Sequence, residues 1–351
     1  MIGVHWDISW HRSIGRDTFW TPPHLAIQLC GVIAGITCGY LILSTTLAQS
    51  QSRVASVNIL GFHGPLGAFI CAWGGFAMIA SAPFDDWWHN AYGLDVKILS
   101  PPHVVLALGM VAVEVGAHWL IVARMNRRRT RLLEWLSLYV LGMILVAALM
   151  LVFEFTHRVF LHLAVSYRAI CILTPLVLAI AARTTRLRWA ATIAAGVYTA
   201  FLLGMLWILP LFPAQPKLGP VLHEVTQFIP GGFPLLIMIP AFVLDLMWPR
   251  LAGWRRWQQA LILGSLFFVV LVAAQWPFAD FLQSPAARNA FFGSAYLDYN
   301  QSPQSYAATY RFVPPESASG FRIGMLIALG CSVISMWIGI GAGDWLRRVR
   351  R

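Results

Sequence analysis

Nine stretches of about 20 mostly apolar residues, parted by short arginine-rich or polar connections, constrain this chain more than any single motif does. A helix of about that length crosses a hydrocarbon layer about 30 Å thick, and lipid cannot satisfy the backbone of an open strand. The runs fall near 24–47, 59–83, 103–124, 132–153, 168–183, 189–212, 232–248, 259–279 and 321–343. The expected fold is therefore all-α, a polytopic membrane helical bundle of about nine transmembrane helices. With 58% of the 351 residues hydrophobic and 11% charged, a water-soluble globule is excluded. The net charge of +11 would point to nucleic acid in a soluble protein. Here the arginines are gathered between apolar runs, as topology determinants are, and no nucleic-acid partner is expected.

Arginine also sets the expected orientation. "RMNRRRTR" at 124–131, "RTTRLR" at 183–188, "RLAGWRR" at 250–256 and the tail "LRRVRR" lie on alternate connections, which the positive-inside rule assigns to the cytoplasm. The C-terminus is then cytoplasmic and Met1 outside, together with 84–102, 154–167, 213–231 and the long segment 280–320. Five cysteines (Cys30, Cys38, Cys71, Cys171, Cys331) all lie inside apolar runs without C-x-x-C spacing, so neither a disulfide framework nor a thiolate metal site is expected. No cleavable signal sequence is expected in the polar segment 1–23.

Two stretches on the outer side carry the chemistry. "DISWHRSIGRDTFWTPPH" runs from Asp7 to His24, and "DDWWHNAYGLDVKILSPPH" from Asp85 to His103. Asp7 and His11 are four apart, as are Asp85 and His89, which places each pair on one face of a helical turn. After each histidine come three residues and then a glycine, Gly15 or Gly93, a natural helix stop. Each stretch then reaches a hydroxyl residue, two prolines and a second histidine, His24 or His103. That is a helix-start signal with the imidazole in the opening turn. The expected result, twice over, is one carboxylate and two imidazoles bridging a short interfacial helix and the next spanning helix. For one copy, a capped helix end, a local charge pair or an aromatic belt serves equally well. Neither capping nor a belt calls for histidine at matched places twice, and metal binding is the expected role. The ligand set alone leaves copper, zinc, iron and nickel open.

The first stretch, as D-x-x-W-H-x4-R-D-T-x-x-T-P-x-H, resembles the metal-site motif in the C subunit of the particulate methane and ammonia monooxygenases, the copper membrane monooxygenases. It matches at Asp7, Trp10, His11, Arg16, Asp17, Thr18, Thr21, Pro22 and His24. The second is similar to that subunit's other metal site, with Asp85 in place of an asparagine and His89 and His103 at the two histidines. The likeness covers residues 5–125, which suggests a first region 1–125 holding both motifs and a further helical region 126–351 with the exterior segment 280–320. The resemblance implies copper at Asp7, His11 and His24, and copper or a second metal at Asp85, His89 and His103. It further implies oxidation of a small apolar molecule by dioxygen, an oligomer, other membrane subunits and a cupredoxin or other electron donor. It also implies a bacterial inner or intracytoplasmic membrane with both sites on the periplasmic side. The extra carboxylate at Asp85 makes the second site harder and better suited to a divalent ion.

Arg16 and Asp17, and Asp95 at the second motif, are expected beside the metal ligands rather than among them, as a salt bridge fixing the turn or as groups that orient the histidines. Glu114 and His118 share a face of the helix below His103, and His63 is expected within the helix at 59–83. They are read either as a relay inward from the second site or as an internal pair bracing the bundle. His5 is a spare ligand beside Asp7, Asp86 competes with Asp85, and Glu154, His157 and His162 form a candidate third site. Two functional classes follow: a metal-dependent membrane oxidoreductase, or a non-catalytic metal-binding or assembly subunit of a respiratory or oxygenase complex.

Overall fold

The computed structural model describes residues 1–15, 20–48, 56–93, 100–156, 160–217, 225–293 and 316–350. A 12-residue helix, α1 (Ile2–Ser13), precedes α2 (Pro22–Leu47). A small antiparallel hairpin, β1 (Val57–Ile59) and β2 (Phe62–Gly64), leads into α3 (Leu66–Tyr92) and α4 (Pro101–Arg127). Next come α5 (Arg131–Leu151), the single turn α6 (Phe153–Thr156), α7 (Ala164–Thr184) and α8 (Ala190–Ile208). The short α9 (Met238–Met247) is followed by α10 (Arg256–Gln283) and α11 (Ala318–Leu346). Eight of these helices are long and apolar enough to cross a membrane, and the chain is an all-α polytopic membrane protein.

The helix expected at 232–248 forms only in its second half. Residues Pro230, Gly231, Gly232 and Pro234 explain the rest: each proline lacks a donor and disfavours a helical residue before it, and the glycines add backbone freedom. The segment still runs the length of α8. Phe228 bonds to Phe212 beyond the end of α8, Leu235 N–H donates to Tyr198 Oη at its middle (3.3 Å), and Asp245 accepts from Ala191 and Thr192 at its start. Leu236 N–H is taken by Gln275 Oε1 of α10 at 2.9 Å. Non-helical backbone at membrane depth survives only where protein supplies partners of this kind.

Helices α3 and α4 meet along a glycine seam. A Cβ at Gly74 would sit 2.7 Å from Gly109 O, and one at Gly109 would sit 2.8 Å from Gly74 O, with Gly67 and Gly116 making a second close approach. Small residues that let backbones touch are the usual means of packing helices where lipid removes the hydrophobic drive. The arginine-rich ends gather at one end of the bundle. There Asn126 donates to Leu346 O (2.8 Å), Arg129 joins Glu134 (2.7 Å) to Thr184 O, and Arg183 pairs with Asp344. Both Asp/His stretches lie at the opposite ends of α2, α3 and α4. His63 falls in β2 rather than in a helix, because Pro65 delays the start of α3. Its N–H donates to Thr46 Oγ1 at the arginine side, far from either stretch.

Candidate metal centres

In the first cluster Asp7 and His11 project from successive turns of α1, and His24 comes from the opening turn of α2. Asp7 Oδ1 lies 3.1 Å from His24 Nε2, and Asp7 Oδ2 lies 3.5 Å from His11 Nε2. In the second cluster a single oxygen, Asp85 Oδ1, is 3.4 Å from both His89 Nε2 and His103 Nε2. The local signals work as the sequence implied. Gly15 (φ 100°) and Gly93 (φ 84°) end the helices in left-handed conformations that favour glycine. Thr21 and Ser100 occupy the N-cap positions ahead of the proline pairs. Neither hydroxyl makes the expected capping bond; proline in the first turn has already removed donors there. One expectation needs correction. Asp85 and His89 ride on the last turns of the long α3, not on a separate interfacial helix, because Pro83 is accommodated inside α3 without ending it.

Both clusters are suited to a metal ion. Within each, one donor atom from every residue lies within 4.8 Å of the others. Donors bound to a common ion at 2.0–2.2 Å in tetrahedral array sit about 3.3–3.6 Å apart, close to the carboxylate–imidazole separations here. Asp7 Oδ1 and Asp85 Oδ1 are both buried, yet their close approaches to the imidazoles lack the alignment of hydrogen bonds. A cation between them would satisfy these stranded oxygens. Burial by itself would raise the Asp7 carboxyl, but the adjoining His11 and His24 outweigh it and hold the group well below the usual carboxylate range. Outer contacts differ: His89 Nδ1 is 3.1 Å from Gly93 O, which fixes the tautomer presenting Nε2 to Asp85, whereas His11 Nδ1 is buried with no such partner.

The other sequence candidates separate from the clusters. Arg16, Asp17, Asp95 and His157 lie outside the described residues. Glu114 and His118 are about 16 and 22 Å along α4 from His103, so neither touches a ligand; His118 Nε2 meets Ser137 Oγ at 3.1 Å. His5 turns away from Asp7: its Nδ1 meets Met1 O at 3.2 Å and its ring packs edge-on against Phe201. Burial pushes its imidazole down to about 4. Asp86 is bound to Asn90 instead of the cluster. His162 pairs with Asp280 at 3.0 Å and approaches Gln283, and among the described residues neither His162 nor Glu154 belongs to a cluster of three potential ligands. No spacing cue points to Asp280, which comes from α10, 118 positions away.

Residues far along the chain hold the first cluster in place. Ser9 Oγ donates to Ile229 O (2.7 Å), and Ser13 Oγ accepts from Ile229 N–H (2.7 Å) while donating to Ser9 O. Arg12 reaches Pro230 O, Lys217 N–H caps Ile14 O, and Trp10 lies against Phe228. No family model matches the chain, and no curated protein or solved structure matches it either.

Proposed function

We propose that the protein is a metal-dependent integral membrane oxidoreductase that oxidises a small apolar molecule with dioxygen, with copper in one or both clusters. The observation that carries this reading is the repeated set of one carboxylate and two imidazoles at one end of the bundle, on the motif that resembles the copper membrane monooxygenases. Asp7, His11 and His24 would hold one ion, and Asp85, His89 and His103 the other. Copper bound there would supply the one-electron and dioxygen chemistry that these side chains lack. The protein's own part is to orient the imidazoles, with a carboxylate offsetting the ion's charge. Three protein ligands leave coordination positions for a reactant. Electrons come from a separate donor, since the sequence carries no haem, flavin or nucleotide motif.

The arginine-rich end is read as cytoplasmic and the clusters as periplasmic, on the positive-inside rule. The rival reading, a non-catalytic metal-binding or assembly subunit, draws on the helices after α4, which add few polar groups. Copper-loaded protein in lipid, supplied with isotopically labelled dioxygen, a chemical reductant and short alkanes or ammonia, separates the two. The oxidoreductase forms labelled product and loses it in His24→Ala or His103→Ala. Full copper loading with no product from any of these compounds favours the subunit reading.

A further inference from the structure

The broken crossing that runs beside α8 borders a cavity of about 90 Å³ between α1, α5, α8 and the Gly231–Gly232 turn. No ligand of either metal cluster lines it. Its walls are mostly apolar, with Leu149, Leu202 and Phe233 among them, and its polar groups are few: His5, Thr156, Tyr198 and the glycine backbone. A Cβ built at Gly231 or at Gly232 would meet nothing within 4 Å, and neither glycine has the positive φ that would demand glycine. Positive φ therefore does not require these two residues, and open space lies where their side chains would begin.

The polar groups are arranged around that space. Tyr198 Oη accepts from Leu235 N–H, so its own proton is left to donate. Among the described residues the Gly231 and Gly232 backbone makes no hydrogen bond, although the two residues after Pro234 each have one from a neighbouring helix. Breaking a membrane crossing and leaving peptide groups facing a void is costly unless something occupies it, and interrupted segments are where bundles of this kind build binding sites.

We infer that this cavity is a binding site for a small uncharged molecule with an apolar body and one hydrogen-bond acceptor, seated between Tyr198 and the Gly231–Gly232 backbone. An apolar cavity of about 150 Å³ takes benzene or xenon, so this one sets a limit of about two to four non-hydrogen atoms. The site stands independently of whether either cluster holds metal.

The test uses the full chain in lipid nanodiscs with two probes, xenon followed by its own resonance and 2-fluoroethanol followed by fluorine saturation transfer. Both probes are expected to bind saturably to the wild type. Gly231→Val, which fills the space without backbone strain, should cut binding of both at least tenfold with an unchanged melting temperature; Gly232→Val is the second variant should the first fail to fold. Tyr198→Phe should retain xenon and bind 2-fluoroethanol about tenfold more weakly, the loss of one hydrogen bond. Equal signals from the wild type and the glycine variants would overturn the site. Unchanged 2-fluoroethanol binding in Tyr198→Phe would overturn the assigned donor.

Discussion

At the first cluster the carboxylate rides on α1, a short helix pinned by Ser9, Arg12 and Ser13 to Ile229 and Pro230, more than 200 residues away. At the second, Asp85 and His89 end a 27-residue helix, and His103 starts another that meets it along a glycine seam. The same three side chains are therefore supported in opposite ways. The first cluster depends on tertiary hydrogen bonds to the broken crossing, and the second on local helix packing and a ring orientation set by Gly93. A fault in one support should spare the other cluster, which makes the comparison open to dissection by mutation.

The largest separation is expected from Gly109→Leu. Its side chain would be forced onto Gly74 O and Met78, costing about 1–3 kcal/mol or more, and metal analysis should show the second site lost with the first kept. Ser13→Ala should act in mirror image. It strands Ile229 N–H at a cost of about 1–3 kcal/mol, so metal titration should weaken the first site about tenfold or more and leave the second unchanged. Gly93→Ala strains a positive-φ, extended stop by about 1–3 kcal/mol and shifts the carbonyl that orients His89, so affinity at the second site should fall several-fold. At the small end, His5→Phe should leave the metal content of the first site unchanged, because His5 faces the cavity and not Asp7. Loss of metal in that variant would restore His5 as a ligand and remove the contrast drawn here.

Much of both clusters was legible because it is local. A four-residue spacing, a glycine stop and a Pro-Pro helix entry are short-range signals that place the three ligands of each cluster near one another, whereas the bonds that pin α1 to Ile229 and Pro230 carry no such local signal. The apolar runs likewise announced the bundle. What stayed hidden was non-local or a matter of competition. The run at 232–248 is apolar enough for a helix, but Gly231, Gly232 and Pro234 unwind its first half, and the partners that make this tolerable, Tyr198 and Gln275, sit on other helices. The pairing of His162 with Asp280 has no sequence spacing to betray it. His63 was drawn into a helix by the hydropathy of its neighbours, although Asn58, Gly61 and Pro65 build a hairpin there.

Each cluster is expected to close on one cation. Crystals of the full chain grown with copper, measured on both sides of the copper absorption edge, test it most directly. Anomalous density is expected in two places, between Asp7, His11 and His24 and between Asp85, His89 and His103, each peak vanishing in its own histidine-to-alanine variant. Copper density elsewhere in the chain, or six ligand side chains turned apart with no density between them, would contradict it.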